Sequence, residues 1–249
     1  MDQLEYYTFM GYPGEVLKER YQPYADRFSA GNRVLDIGCG RGEFLEVLRD
    51  RGIEPFGVDA DAQMAEEGRG KGLSIADGDA IEYLHQHAGE FDGTFAAHIA
   101  EHLSPEALLE LVKGMSVAVK PGGRVIVVTP NPRNLLMQLN DFWIDLQHVR
   151  FYSPDIMRWV LNLGGLEEIE IGVNPRYRLG PEMFHDGGPE HLPRRRQRST
   201  GLGRLQEAGT PSSLLERLAA VEERLNQLSG WASSLYPPGE YFATGVRPA

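Results

Sequence analysis

Short apolar runs alternate with amphipathic stretches along most of the chain. Each run is rich in β-branched or aromatic residues and ends at a turn, as buried strands of a parallel sheet do. The predicted strands comprise residues 34–37, 54–58, 73–76, 91–97, 124–129, 166–173 and 240–246. Between them, Ser104 before Pro105 and Ser153 before Pro154 are typical helix starts. The alternation predicts an α/β fold with a mostly parallel sheet.

The first predicted strand runs into a turn that contains Gly38, Gly40 and Gly42. Glycine has no Cβ atom, so a ligand can approach the backbone and the chain can turn sharply into a helix. We therefore expect a nucleotide-like molecule to lie on this turn. The turn departs from the dinucleotide-binding pattern G-x-G-x-x-G, because Glu43 stands where that pattern has its third glycine.

Acidic residues follow the next two predicted strands. Asp59 comes directly after the second strand, where a carboxylate is well placed to bind ribose hydroxyls. Asp79 and Ala80 follow the third strand. A carboxylate or backbone amide at that point is expected to meet an adenine edge.

Five motifs then occur in a characteristic order: D-I-G-C-G-R-G from Asp36, V-D, G-D-A, E-H-L and K-P-G-G. Their order and spacing resemble those of the class I, Rossmann-like S-adenosylmethionine-dependent methyltransferases, over residues 31–173. The resemblance implies a seven-stranded, doubly wound sheet and S-adenosylmethionine as the cofactor. It also implies the cofactor-binding residues Gly38, Cys39, Gly40, Asp59, Ala60, Asp79 and Ala80, with His98 at the wall of the site.

Three titratable side chains follow the fourth predicted strand at spacings of three and four. His98, Glu101 and His102 would therefore share one face of a helix that opens at His98. This pattern, with the distant His148, resembles the metal-dependent methyltransferases that include quinol and small-RNA 3′-end O-methyltransferases. The resemblance implies a divalent-cation site, with Mg²⁺ as the candidate and these four side chains as ligands. His98 stands where those enzymes often have glutamate, and Mg²⁺ prefers oxygen ligands.

Two interpretations of this cluster stay open. In one, a cation binds vicinal hydroxyls of the acceptor and lowers their pKa. In the other, the side chains bond one another, and His148 or His102 acts as a general base because imidazole titrates near neutral pH. The candidate catalytic residues are His148, His102 and Glu101.

The segment from Phe9 to Arg20 bears on the acceptor. It resembles the leader F-R-G-S-x-E-x-I-K-E-R of bacterial methyltransferases associated with surface polysaccharides. The likeness favours a hydroxyl of a sugar or oligosaccharide as the acceptor. A small-molecule acceptor of the natural-product, quinol or catechol type is the alternative, and an inactive methyltransferase-like binding partner is the third. Arg20 is expected to reach the methionine carboxylate of the cofactor, or else to form a surface salt bridge.

The pattern divides the chain into four parts: a helical cap (1–30), a cofactor-binding catalytic domain (31–173), an insertion (174–239) and the final strand (240–249). Within the insertion, residues 174–211 are rich in Gly, Pro and Arg and are expected to form a mobile loop or lid. An apolar stripe then follows at alternating spacings of four and three, formed by Leu214, Leu218, Val221, Leu225 and Leu228. We expect it to dock on its own domain or to form a modest homodimer contact.

Composition narrows the functional classes. The 249 residues are 41% hydrophobic, which suffices for one substantial core. The net charge of -11 argues against nucleic-acid partners, since phosphate binding draws on clustered Lys and Arg. The single cysteine, Cys39, excludes an intrachain disulfide and favours a cytoplasmic enzyme. No apolar run is long enough for a membrane span, and no signal-peptide start is evident.

Overall fold

The computed structural model describes residues 13–178 and 212–249. Its seven strands form one sheet. They are β1 (Arg33–Ile37), β2 (Glu54–Asp59), β3 (Ile75–Asp77), β4 (Phe91–Ala97), β5 (Val119–Pro130), β6 (Glu167–Val173) and β7 (Glu240–Val246). Their order across the sheet is β3-β2-β1-β4-β5-β7-β6. The predicted seven-stranded α/β architecture is confirmed.

Helices connect the strands. They are α1 (Gly14–Ala25), α2 (Glu43–Asp50), α3 (Ala62–Gly70), α4 (Ala80–Gln86), α5 (Pro105–Ala118), α6 (Phe142–Ile144), α7 (Pro154–Leu163) and α8 (Ser212–Leu235). A 3-10 turn (Ala100–His102) follows β4, and a π-helical turn (Met137–Asp141) precedes α6. Within the described ranges, each helix is too short or too polar to cross a lipid bilayer.

The strand directions bring the segments that carry the predicted site residues to one edge of the sheet. Strands β1 to β5 pair in parallel, so their carboxyl ends meet at the same edge. The chain proceeds from β1 to β2 and β3 on one side and later to β4 and β5 on the other. The resulting switch point at β1 is where open α/β sheets bind ligands. Strand β7 lies antiparallel between β5 and β6.

The core has two layers, one on each face of the sheet. Neighbouring residues of a strand point to opposite faces, so Leu35 of β1 belongs to one layer and Val34 to the other. Helices α4, α5 and α7 cover the first face, through residues such as Leu84, Leu111 and Leu161. Helices α1, α2 and α3 cover the second face. The N-terminal helix α1 is therefore part of the packed core.

Two local expectations differ from the structure, and a third lies mostly outside the described residues. The helix expected from His98 begins instead at Ala100 as a single 3-10 turn, because His98 itself has a left-handed backbone with φ 57°. The amphipathic helix of the insertion extends to Leu235, past the predicted end at residue 228. The expected loop or lid lies mostly outside the described residues, since only residues 174–178 of it are described.

Gly57 of β2 offers a test of the packing beneath the glycine turn. An added Cβ would lie 2.6 Å from Sγ of Cys39 and 2.8 Å from Cδ1 of Leu45, both of which are buried. We expect Gly57→Ala to lower the free energy of unfolding by about 1–3 kcal/mol through overpacking. Urea denaturation measures this effect.

Gly70→Ala is the matched control, because an added Cβ there meets no atom within 4 Å. Its stability should match or exceed that of the wild type, since alanine favours the helix. Equal stability of all three proteins would contradict the tight packing of Cys39 against β2.

Candidate functional site

A cavity of about 800 Å³ opens at the carboxyl edge of the sheet. Helix α1 forms one wall, and the glycine turn after β1 forms its floor. The 3-10 turn and the segment after β5 form the opposite wall. The polar and charged side chains in its lining include Arg20, Asp36, Glu43, Asp59, Asp61, His98, His102, Asp141, Asp145, Gln147, His148 and Tyr177. A cavity of this volume suits a nucleotide-sized molecule together with a small second ligand.

The glycine turn is held open by its backbone conformation and by Asp59. Gly38 and Gly40 have φ of 65° and 52°, the left-handed region that favours glycine. A Cβ at Gly38 would lie 2.7 Å from Cδ1 of Ile99. The carboxylate of Asp59 accepts hydrogen bonds from the backbone N–H of Gly40 (2.7 Å) and of Asp61 (2.8 Å). The turn and the end of β2 therefore form one unit.

A buried carboxyl group lies beneath this unit. Asp36 of β1 is almost fully buried and lines the cavity. Burial raises the pKa of Asp36 well above its ordinary value, and the nearby charges of Asp59 and Glu43 raise it further. Burial likewise raises the pKa of Asp59. Because these carboxyls repel one another, a ligand that brings positive charge into the cavity would stabilise their ionised forms.

An ion pair joins α1 to β7 at the cavity wall. Nε of Arg20 donates to Oε2 of Glu240 at 2.7 Å, and a second guanidinium nitrogen contacts the same oxygen. The hydroxyl of Tyr24 (2.7 Å) and the amide of Asn174 (2.6 Å) donate to Oε1 of Glu240. The guanidinium carbon of Arg20 lies 3.6 Å from the ring centroid of Tyr177. We call these five residues the Arg20 anchor.

Charge compensation explains how the fold accommodates the buried, ionised carboxylate of Glu240. Burial works to raise the pKa of this fully buried carboxyl, but Arg20 and then His98 outweigh it and hold the pKa far below the ordinary value of 4.5. The folded pKa is therefore lower than the unfolded one. The ionised carboxylate stabilises the fold fully above the unfolded pKa, and this stabilisation is lost as the pH falls toward the folded value.

His98 bridges the anchor and a second polar group. Its Nδ1 lies 3.0 Å from Oε1 of Glu101, and its Nε2 lies 3.0 Å from Oε2 of Glu240. Burial and Arg20 work to lower the pKa of His98, but the hydrogen bonds to the two carboxylates outweigh them and raise it. Both ring nitrogens of His98 therefore have carboxylate partners.

Glu101, His102 and His148 form a compact group, which we call the Glu101 cluster. One ligand atom from each lies within 4.8 Å of the others. Glu101 is fully buried, and its Oε2 accepts a hydrogen bond from Oγ1 of Thr129 at 2.9 Å. Nδ1 of His148 lies 2.6 Å from the carbonyl oxygen of Phe142, which leaves Nε2 to face the cluster. Nδ1 of His102 is buried and has no hydrogen-bond partner among the described residues.

The protonation states of these side chains allow them to bind a cation or to accept a proton. Burial works to raise the pKa of Glu101, but the hydrogen bond and charge of His98 outweigh it and lower the pKa. Burial lowers the pKa of His148 below its ordinary value of 6.5. Near neutral pH, Glu101 is therefore ionised and His148 is neutral, so both offer lone pairs. The three side chains can bind a divalent cation or accept a proton from a bound hydroxyl.

The structure brings most of the predicted site residues to one cavity. Its lining includes Arg20, Gly38, Cys39, Gly40, Asp59, Ala60, His98, His102 and His148. Glu101 lies behind His98 and His148. Asp79 and Ala80 are outside the lining: Asp79 is exposed, and its carboxylate accepts a hydrogen bond from the backbone of Glu82 and caps α4. His98 is outside the three-residue group that can share one cation.

Sequence reasoning missed several residues of the site. Asp36 had a detectable signal, since a carboxylate inside an apolar strand is unusual unless it has a function or a partner. Glu240 and Tyr177 had no such signal in the sequence. Their partner Arg20 is more than 150 residues away in the chain, and only the folded sheet brings them together.

Comparisons with known proteins agree with this geometry. A family model described as "Methyltransferase domain" matches residues 9–171, which is more than half of the chain. The chain belongs to this methyltransferase family. The crystal structure of an S-adenosylmethionine-dependent methyltransferase from Archaeoglobus fulgidus is similar over 99% of this methyltransferase and 100% of that chain, with a TM-score of 0.76 and 26% sequence identity. The protein is therefore a methyltransferase whose cofactor is S-adenosylmethionine.

Two further relatives add detail. A ubiquinone biosynthesis O-methyltransferase from Idiomarina loihiensis is 30% identical over 161 residues. That match spans 57% of this methyltransferase and 64% of the relative's length. A phosphoethanolamine N-methyltransferase from Haemonchus contortus, solved with S-adenosyl-L-methionine, shares the fold with a TM-score of 0.58 and 20% identity, over 94% of this chain and 52% of that one.

The Arg20 anchor predicts an asymmetry between single and double variants. Arg20→Met leaves Glu240 buried without its countercharge, which should lower the free energy of unfolding by about 3–5 kcal/mol. Adding Glu240→Gln removes the orphaned charge but keeps acceptors for Tyr24 and Asn174. The double variant should therefore be more stable than Arg20→Met alone, as measured by urea denaturation. A double variant that is less stable than Arg20→Met would contradict the charge-compensation account.

Proposed function

We propose that this methyltransferase moves the methyl group of S-adenosylmethionine to a hydroxyl oxygen of a small aromatic acceptor of the quinol or catechol type. The observation that supports this most directly is the Glu101 cluster, which adjoins the same cavity as the glycine turn and Asp59. The O-methyltransferase named for ubiquinone biosynthesis among its relatives supports the same acceptor class. We infer a cytoplasmic enzyme, for which the free, buried Cys39 is the support.

The surface at the cavity favours an aromatic acceptor over a sugar. The segment after β5 exposes five large apolar side chains within eleven residues: Leu139, Trp143, Ile144, Leu146 and Val149. They are interleaved with residues that line the cavity, including Asp141, Asp145 and His148. An apolar entrance of this kind suits a ring with apolar substituents, because its burial removes apolar surface from water. The sugar acceptor expected from residues 9–20 has less support than the small-molecule alternative.

A divalent cation fits the Glu101 cluster. Nδ1 of His102 is buried and has no hydrogen-bond partner among the described residues. Nε2 of His148 lies 3.9 Å from Oε1 of Glu101 and 3.6 Å from Oδ2 of Asp145. Glu101, His102 and His148 would hold the cation, which lowers the pKa of bound hydroxyls when present. Two imidazoles and one carboxylate suit Zn²⁺, Fe²⁺ or a similar ion better than Mg²⁺, which prefers oxygen ligands. His98 would act on this site through its hydrogen bond to Glu101.

The positions of the lining residues support the remaining proposed roles. Gly38, Cys39 and Gly40 would lie against the methionine part of the cofactor, and Asp59 would bind its ribose. The acidic surroundings of Asp36 favour the positive charge of the cofactor. Asp79 and Ala80 lie outside the cavity lining. Their expected contact with the adenine therefore has the least support among the cofactor-binding residues.

Methyl transfer needs a deprotonated acceptor oxygen in line with the sulfonium carbon. The new O–C bond forms as the S–C bond breaks, and S-adenosylhomocysteine leaves with the electron pair. The acceptor proton departs at the Glu101 cluster. When the three side chains act without a cation, Nε2 of His148 accepts that proton, because burial keeps this imidazole neutral near pH 7.

Transfer of labelled methyl groups to a panel of acceptors tests the proposed reaction. The panel contains catechols and quinols with and without alkyl substituents, and manno- and gluco-oligosaccharides. Metal-stripped enzyme is assayed alone and after addition of Zn²⁺, Mn²⁺ or Mg²⁺. We expect label on the aromatic acceptors, with alkyl substituents lowering KM and with Zn²⁺ or Mn²⁺ restoring more activity than Mg²⁺. Labelling of saccharides alone would overturn the acceptor class, and full activity of the stripped enzyme would overturn the role of a cation.

His148→Ala isolates the chemical step from cofactor binding. We expect transfer to fall by at least about 100-fold, the usual contribution of an acid-base group, while the affinity for S-adenosylmethionine stays near the wild-type value. The wild-type rate should decline only below pH 6.5, because burial lowers the pKa of His148 from that value. His85→Ala is the control, since His85 is exposed on α4 away from the cavity. Full activity of His148→Ala would remove this residue from the mechanism.

A further inference from the structure

Helix α8 carries a continuous seam of apolar residues. Its 24 residues make a helix about 36 Å long. Counted in heptads, every a and d position of the helix is apolar: Leu214, Leu218, Val221, Leu225, Leu228, Ala232 and Leu235. The last two positions extend the stripe beyond the part that sequence spacing had indicated. A strict a and d repeat of this kind is the pattern of a coiled coil.

The described side chains of this seam lie in solvent. Leu218, Val221, Leu228 and Leu235 are 38%, 53%, 58% and 48% exposed. Among the described helices and strands, α8 makes at most isolated contacts with the others. Four exposed apolar side chains along one stripe of a helix mark an interaction surface.

The joint between α8 and β7 limits which surface can cover the seam. The amide of Asn131 donates to the carbonyl of Pro238 at 2.9 Å, and the amide of Asn134 donates to that of Pro237. The two prolines also stiffen the connection. The C-terminal end of α8 is therefore fixed at the carboxyl edge of the sheet, which limits how the seam can turn toward its own domain.

We propose that two copies of this chain pair through α8 as a parallel, two-stranded coiled coil. A seam of identical a and d residues is complementary to itself under twofold symmetry. The flanking positions favour the parallel arrangement. In the sequence, the g position 217 is arginine and the e position 222 is glutamate, and a parallel pair places each opposite the other.

An antiparallel pair would instead place g positions opposite g positions and e positions opposite e positions, which separates these two opposite charges. Parallel pairing holds both fixed joints at the same end of the coiled coil. The two catalytic domains would therefore lie side by side. This assignment is independent of the acceptor and of the cation.

Sedimentation velocity of the full chain from about 1 to 100 µM tests the pairing. We expect the wild-type mass to rise to twice the monomer mass across this range. Val221→Glu puts a charge into the seam and should raise the dimer dissociation constant at least tenfold, about 1.4 kcal/mol. Ala220→Glu introduces the same side chain one residue away, at a c position that faces away from the seam, and should dimerise like the wild type. Circular dichroism shows that both variants are folded.

Three outcomes would overturn the assignment. A wild-type protein that stays monomeric at the highest concentration would show that no second copy covers the seam. Dimerisation of Val221→Glu equal to that of the wild type would place the interface elsewhere. For orientation, Glu222→Arg should weaken the dimer and the charge swap with Arg217→Glu should restore it, and a swap that fails to restore it would overturn the parallel arrangement.

Discussion

The buried ion pair between Arg20 and Glu240 sets the geometry on which the site depends. Removing two opposite charges from water is tolerated only when good geometry and further hydrogen bonds compensate each of them. Tyr24, Asn174 and His98 supply those bonds to Glu240. The requirement holds α1 against the start of β7, and so it fixes one wall of the cavity. The position of helix α1 is therefore fixed by the need to neutralise the buried charge of Glu240.

His98 connects the Arg20 anchor to the Glu101 cluster. It contacts Glu240 on one side and Glu101 on the other, in a left-handed backbone conformation that a histidine adopts only when its surroundings hold it there. The same imidazole therefore contacts both a wall of the cavity and a carboxylate of the Glu101 cluster. Any shift of α1 would be transmitted to Glu101 through a single side chain.

Local signals in the sequence were enough for the sheet, because apolar runs, helix starts and glycine turns depend on neighbouring residues. The glycine turn, the acidic end of the second strand and the family resemblance pointed to Gly38, Gly40, Asp59 and His148, all of which line the cavity. Asp79 lies outside the cavity lining, because spacing along the chain does not show where a carboxylate points. Local signals failed for Glu240, because its role depends on a partner 220 residues away.

The place of β7 in the sheet has a consequence for how the molecule is made. This strand is late in the chain, yet it lies between β5 and β6 rather than at an edge. During synthesis, one side of β5 stays unpaired until residues 240–246 emerge from the ribosome. Arg20 has no countercharge from Glu240 until the same segment is made. An incomplete chain therefore lacks both an inner strand and the partner of Arg20 at the cavity wall. Completion of the cavity thus depends on the last strand to be synthesised.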